Sequence, residues 1–230
     1  MRFYRFLNDT WIFYNLIDPI LSEKEAALAN STSNAKRRYP TPKKSGTVYS
    51  RRRDADIAKL FKIQNEREIF KTNIVSIVSR FEAHILDCIT ETIKLYPKKL
   101  SLISDKSGIS VDLFLNHSQY DDVLSEYIAQ KVEGIMFNKP DAYLEKAAKI
   151  LSIEIDDEVS SDYIEIKATR DAVVHASDLI NQIYIDKAGK KARGELGNKI
   201  VVDKRYFRHV VVTAKRLSGS IMNEIEQKYG

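Results

Sequence analysis

The feature that most constrains the fold is a run of apolar side chains between residues 70 and 93. Phe70, Ile74, Ile77, Val78, Phe81, Ile85, Cys88, Ile89 and Ile93 recur at intervals of three and four, the spacing that places side chains on one face of an α-helix. A strand would need a period of two. The pattern predicts a helix from about Asp54 to Tyr96, ended by Pro97, which disfavours helical backbone at the residue before it. A helix of this length with one apolar stripe needs partners to cover the stripe, so the remaining chain must supply them.

It supplies three clear ones. Tyr120, Val123, Leu124, Tyr127, Ile128, Val132, Ile135 and Met136 form a second amphipathic stripe. A third helix opens near Pro140, at a favoured first-turn position, and runs to about Leu151. A last helix follows Asp203, a suitable N-cap, and buries Phe207, Val210, Val211, Ala214, Leu217, Ile221 and Ile225. Between them, a fourth helix is expected from about Asp157, with Val159, Tyr163, Ile166, Val173 and Val174 on one face. Short extended pieces are expected around residues 100–103, 111–115 and 200–202. Eight glycines and five prolines in 230 residues are too few for the many turns of a β-sandwich or barrel. The fold class expected is mostly α, an antiparallel helical bundle.

The N-terminal 53 residues read differently. Phe3, Phe6, Leu7, Phe13, Tyr14 and Ile17 suit an amphipathic helix that Asp18-Pro19 should kink or end. From Ala26 to Arg53 the chain then carries eight basic residues (Lys36, Arg37, Arg38, Lys43, Lys44, Arg51, Arg52, Arg53) and no acidic one. With Asn, Ser, Thr and Pro between them, this has the composition of a mobile basic linker or of a segment that meets a polyanion such as RNA. The organisation expected is therefore an N-terminal helix and basic linker over 1–53, then a helical domain over 54–230.

Cys88 is the only cysteine, which excludes an intrachain disulfide and a cysteine metal cluster. The four histidines show no metal-ligand spacing, so no metal and no other cofactor is expected. Arg5, Asn8 and Asp9 interrupt the apolar start, which reads poorly as a signal peptide, and no run approaches the ~20 apolar residues of a membrane span. A soluble, cytoplasmic protein without membrane partners is expected.

The candidate site lies at residues 164–181, Ile-Glu-Ile-Lys-Ala-Thr-Arg-Asp-Ala-Val-Val-His-Ala-Ser-Asp-Leu-Ile-Asn. Arg170 falls in the apolar stripe 159, 163, 166, 170, 173, where a guanidinium requires a carboxylate, a backbone cluster, or a cleft that takes an anion. Asp171 and His175 are four apart, so the carboxylate is expected to orient the imidazole. Arg170 and His175 are five apart, roughly 140° around the helix with ~7.5 Å of rise, and would converge only by the reach of arginine or across a dimer cleft. Arginine, four residues and histidine recur by chance in many chains, and on that reading the pair is a surface charge and an ordinary histidine. His84, His117 and His209 are read as structural or surface residues.

The ordering of these elements resembles the HEPN superfamily, whose signature is an arginine, a polar residue, a few apolar residues and a histidine near the end of a late helix in an antiparallel bundle. Arg170-Asp171-Ala-Val-Val-His175 carries it, with Glu165-Ile-Lys before, Asp178-Leu-Ile-Asn181 after, Val202-Asp203 ahead of the last helix, and Ser79-Arg-Phe-Glu-Ala-His84 on the long helix. The likeness spans about Asp54 to Tyr229. It departs from the family at Asp171, where asparagine is common, and over the first 53 residues.

The resemblance implies a metal-independent endoribonuclease, a toxin or antiphage-defence effector, acting by attack of the ribose 2′-hydroxyl. Arg170 would hold the scissile phosphate, His175 would move the proton, and Asp171 would support them. Lys167, Lys190, Lys191, Arg51, Arg52 and Arg53 are the candidate RNA contacts. The implied partners are RNA, a second copy in a homodimer, and an antitoxin or other neutralising protein. The alternatives are a non-catalytic HEPN-like module binding RNA, a nucleotide or a protein, and a basic RNA-binding or scaffolding protein working through Lys36 to Arg53 and the basic stretch from Lys187 to Arg216.

Overall fold

The computed structural model describes residues 2–103, 110–117, 119–137 and 140–229. It is mostly helical, with one two-stranded antiparallel sheet among the described residues. The expected long helix is present as continuous right-handed backbone from Asp54 to Leu95: α2 (Asp54–Ile63), a π-helical turn over Gln64–Glu68, and α3 (Ile69–Leu95). Tyr96 leaves helical geometry, and Pro97 opens a 3₁₀ turn to Leu102. The wide π turn rotates Asn65 inward, where its Nδ2 reaches Asp18 Oδ1 and Ser22 Oγ, each at 3.2 Å.

Phe70, Ile74, Ile77, Val78, Phe81, Ile85, Ile89 and Ile93 are all buried. Around them stand α1 (Arg2–Ala29), α5 (Tyr120–Glu133), α6 (Pro140–Leu151), α7 (Asp157–His175) and α9 (Lys204–Tyr229). The third, fourth and last helices begin where Pro140, Asp157 and Asp203 place them: Asp203 Oδ1 accepts from Tyr206 N at 2.8 Å, the expected cap. Burial pushes the thiol of half-buried Cys88 up to about 11, so it packs as a small apolar group. His84 stacks on Phe3 with ring centroids 5.7 Å apart, and its burial pushes the imidazole below its ordinary range.

Several expectations are corrected. α1 does not stop at Asp18-Pro19 but runs on to Ala29. Phe3, Leu7 and Tyr14 join the main core against Phe81, Phe70 and Phe207, so this helix packs on the bundle. Asp18 fastens it to α9 through Lys204 Nζ at 2.6 Å. The basic linker is a β-hairpin, β1 (Arg37–Lys43) and β2 (Gly46–Arg52). Proline and lysine kept it from reading as strands, but Gly46 at φ 113° allows the turn that closes it. Extended pieces at 100–103 and 111–115 are instead 3₁₀ through Leu102 and a short helix, α4 (Val111–Leu115); residues 104–109 and the side chain of Met136 lie outside the description. Residues 200–202 form no strand, although Ile200 N donates to Asp178 O at 2.8 Å. A short helix not anticipated, α8 (Gln182–Ala188), follows α7. Among the described residues no helix is long and apolar enough to cross a membrane.

Phe81 packs on Phe3 of α1 and on Tyr163 of α7, with centroids 5.7 and 4.5 Å away. Phe81→Ala should therefore lower stability by about 3–5 kcal/mol, measured by denaturant unfolding; a loss near zero would mean the seam is not load-sharing. The Lys204 hydrogen bond holds the Asp18 carboxyl below the ordinary carboxylate range. Its stabilisation is present above that range and lost as pH falls through the lowered value, so Asp18→Asn should flatten the acid limb of the stability profile.

Candidate active site

α7 is buried over most of its circumference between Tyr163 and Thr169, because α3, α6, α8 and α9 all pack on it. A helix in that position must neutralise its polar residues within the protein, and it does so in two clusters. In the first, Glu165, 3% exposed, accepts Thr169 Oγ1 (2.7 Å), Tyr184 OH (2.8 Å) and Arg193 Nε (2.9 Å) on one oxygen and Tyr206 OH (2.7 Å) on the other. The Arg193 guanidinium lies 3.5 Å from the centroid of the Tyr206 ring and also donates to Val201 O. These bonds tie α7 to α8, to the 189–203 loop and to α9.

The second cluster contains the predicted arginine. Glu82 of α3, 9% exposed, accepts Lys167 Nζ on Oε1 and Arg170 Nη2 on Oε2 at 2.9 Å. Arg170 Nη1 donates to Asp171 Oδ1 at 2.8 Å, and Asp171 Oδ2 takes Lys187 Nζ from α8 at 2.8 Å. The three options for Arg170 thus resolve to carboxylates, one from its own helix and one from α3. Three cations face two carboxylates here, leaving one positive charge in surplus. The Arg170 side chain is 18% exposed, so the chain Glu82–Arg170–Asp171–Lys187 runs from the interior to the surface.

His175 is exposed, in the last turn of α7. It lines a surface hollow of about 260 Å³ with Asp171, Asn181, Ile183 and Lys187. Asn181 Oδ1 caps α8 by accepting from Tyr184 N at 2.9 Å, which fixes that wall. The expected orienting of His175 by Asp171 is not present: among the described residues no hydrogen bond joins them, and the Asp171 oxygens accept from Arg170 and Lys187. Nor does Arg170 line the hollow; Asp171 stands between the two members of the motif.

The other assigned residues divide. Lys167 is buried on Glu82, and no surface contact with RNA is open to it. Lys191 is exposed but pairs with Asp162 at 2.6 Å, while Lys190 is exposed on the 3₁₀ turn after α8. Arg51, Arg52 and Arg53 are exposed on the hairpin and the cap of α2. Val174, placed in the apolar stripe by spacing, is 49% exposed beside His175. Residues that sequence reasoning left unassigned are Glu82, Lys187 and Arg193. Glu82 carried a signal: it lies four after Val78 and three before Ile85, a carboxylate inside the core stripe. Lys187 and Arg193 stood only within the basic stretch from Lys187 to Arg216, and nothing there tied them to α7, since only the return of α8 and its loop brings them to it.

Comparison with protein-family models, with curated proteins and with solved structures returns no match for this chain.

Glu165→Ala should leave Arg193 and two tyrosyl hydroxyls without their acceptor and cost about 3 kcal/mol or more, read as a fall in thermal midpoint. Glu165→Gln, which keeps an acceptor, should cost distinctly less. Equal losses would show that the charge alone matters.

Proposed function

We propose that this protein is a metal-independent endoribonuclease of the HEPN type, acting in the cytoplasm as a toxin or antiphage-defence effector. The single observation that carries the reading is the C-terminal end of α7, where exposed His175 shares a hollow with Asp171 and Lys187, and Asp171 is bonded to Arg170. The surplus positive charge of this cluster favours an incoming phosphate. His175, free of other hydrogen bonds among the described residues, takes the proton of the attacking 2′-hydroxyl or gives one to the leaving oxygen.

Arg170 reaches the phosphate by exchanging Asp171 for it on Nη1 while Glu82 keeps Nη2 in place. Asp171 then remains on Lys187. The guanidinium therefore arrives oriented, and little ordering is left for the reaction step. Ile183, which lines the hollow, is 63% exposed, and Val174 and Leu179, close to His175 in sequence, are 49% and 43% exposed, apolar surface that a second copy covers when two α7 ends face each other as a homodimer. A neutralising antitoxin would act by occupying the same surface.

One observation favours a second reading, a non-catalytic HEPN-like module that binds RNA, a nucleotide or a protein: both terminal nitrogens of Arg170 already hold carboxylates. Cleavage separates the two. RNA incubated with pure protein in EDTA should yield 2′,3′-cyclic phosphate or 3′-phosphate ends. His175→Ala and Arg170→Ala should each reduce the rate by roughly 10²-fold or more. Arg170→Lys should recover little, because an ammonium cannot span Glu82 and a phosphate as a planar fork does. His175→Ala should melt like the wild type, its side chain being exposed. Full activity in a folded variant sinks that residue's role, and loss of wild-type activity in EDTA sinks the metal-free chemistry.

A further inference from the structure

The hairpin over residues 37–52 has little beneath it. Its strands are exposed along most of their length, and a lone two-stranded ribbon in water is only marginally stable. Its root, however, is clamped. Asp54, buried at the start of α2, accepts Ser31 Oγ at 2.7 Å and Arg37 Nη2 at 2.9 Å on Oδ2, while Arg37 Nε stands 2.8 Å from Oδ1. Arg53 N donates to Asp56 Oδ2 at 3.1 Å just beyond. The ribbon is thus held on the end of the long helix and projects from the bundle.

Its charges are not neutralised from within. Arg38 faces Arg51 directly across the strands, and Arg37 faces Arg52, an arrangement that destabilises a hairpin unless an anion joins it. Arg37 has Asp54, but among the described residues no carboxylate lies within ion-pair distance of Arg38, Arg51 or Arg52. Alternation puts Arg38 and Arg51 on one face with Tyr49 and Pro40. There the Arg38 guanidinium lies 4.6 Å from the centroid of the Tyr49 ring, which is 55% exposed. The ring thus carries a cation over one face and remains more than half exposed; exposed cations beside an accessible aromatic ring are the two elements of a single-strand platform, on which phosphates meet the cations and an unpaired base stacks.

The position also suits a strand leading to α7. Lys71, on the same continuous helix, bonds Asp178 just past His175, so the His175 end of α7 lies toward the end of the long helix that carries the hairpin. From Lys71 to the hairpin root at Asp54 is 17 residues, roughly 26 Å of helical rise.

We infer that the hairpin is a docking surface for single-stranded RNA, with Arg38 and Arg51 on its phosphates and Tyr49 under one base. This rests on the RNA reading above for the choice of polyanion, and not on cleavage. Duplex RNA would leave Tyr49 unused, since its bases are already stacked and its major groove is too narrow for side chains to read. An acidic protein would satisfy the arginines but not the stacking face.

The test uses the full chain and a fluorescent ~16-nucleotide 2′-O-methyl oligopyrimidine, which cannot undergo 2′-hydroxyl attack, so that binding is read apart from cleavage. With Arg38→Gln and Arg51→Gln together, affinity at 0.1 M salt should fall about tenfold, and the slope of log affinity against log salt should shrink by about 1.4, two phosphates' worth. Tyr49→Ala should weaken binding about tenfold with the slope unchanged, and Tyr49→Trp should restore it. Arg37 stays intact in every variant, and matched thermal melts exclude unfolding. An unchanged slope in the arginine variant overturns the proposal. So does a Tyr49→Ala protein that binds normally, or displacement of the oligonucleotide by duplex RNA or polyglutamate as readily as by unlabelled single strand. Tight, Tyr49-dependent binding without cleavage of ordinary RNA would overturn the nuclease and leave the docking surface standing.

Discussion

The carboxylate of Glu82, set between α3 and α7, is the interaction on which the arrangement of the candidate site depends. A carboxylate among Val78, Phe81 and Ile85 is strongly unfavourable unless cations reach it. Lys167 and Arg170, three apart on α7 and so on one face, both do. That requirement sets the register of α7 against α3 more sharply than apolar packing alone, because a shift of one turn would strand a buried charge. With the register set, the last turn of α7 and its histidine must emerge where they do.

The same constraint decides what the conspicuous arginine can do. A guanidinium with one nitrogen on Glu82 is aimed rather than free, and its second carboxylate, Asp171, is shared with Lys187 of α8. The position of α8 is set in turn by the Glu165 cluster, which joins Tyr184, Arg193 and Tyr206 on one buried acid. The two clusters are thus coupled through a single helix. Glu165 places α8, α8 places Lys187, and Lys187 holds the carboxylate that would give way to an anion.

At the other end of the long helix the logic is the reverse. α1 is fixed by aromatic contacts of Phe3 and Tyr14 and by the Asp18–Lys204 pair. The hairpin that follows has one buried anchor, Asp54, and otherwise faces outward with uncompensated charge. The bundle spends its buried carboxylates on holding its own cations, whereas the hairpin leaves its cations open. That contrast is why the cations around α7, Lys167, Arg170 and Lys187, and those of the hairpin, Arg38 and Arg51, have different meanings.

The helical class, the long helix from Asp54, and the starts at Pro140, Asp157 and Asp203 were legible in the sequence, because apolar period, proline position and N-caps are local properties of the chain. So was the oddity of Arg170, as a cation in an apolar stripe. The hairpin was not legible, since the pairing of residues 37 and 52 joins positions fifteen apart and its anchor joins Asp54 to Arg37 and Ser31, 17 and 23 residues away. Nor were the occupancy of Arg170 by Glu82, the burial of Lys167 and the loss of Asp171 to Lys187, for each joins residues on different helices. Spacing along one helix determines which side chains share a face; only tertiary packing decides which opposite charges that face meets, because a buried ion takes whichever partner the fold brings within reach.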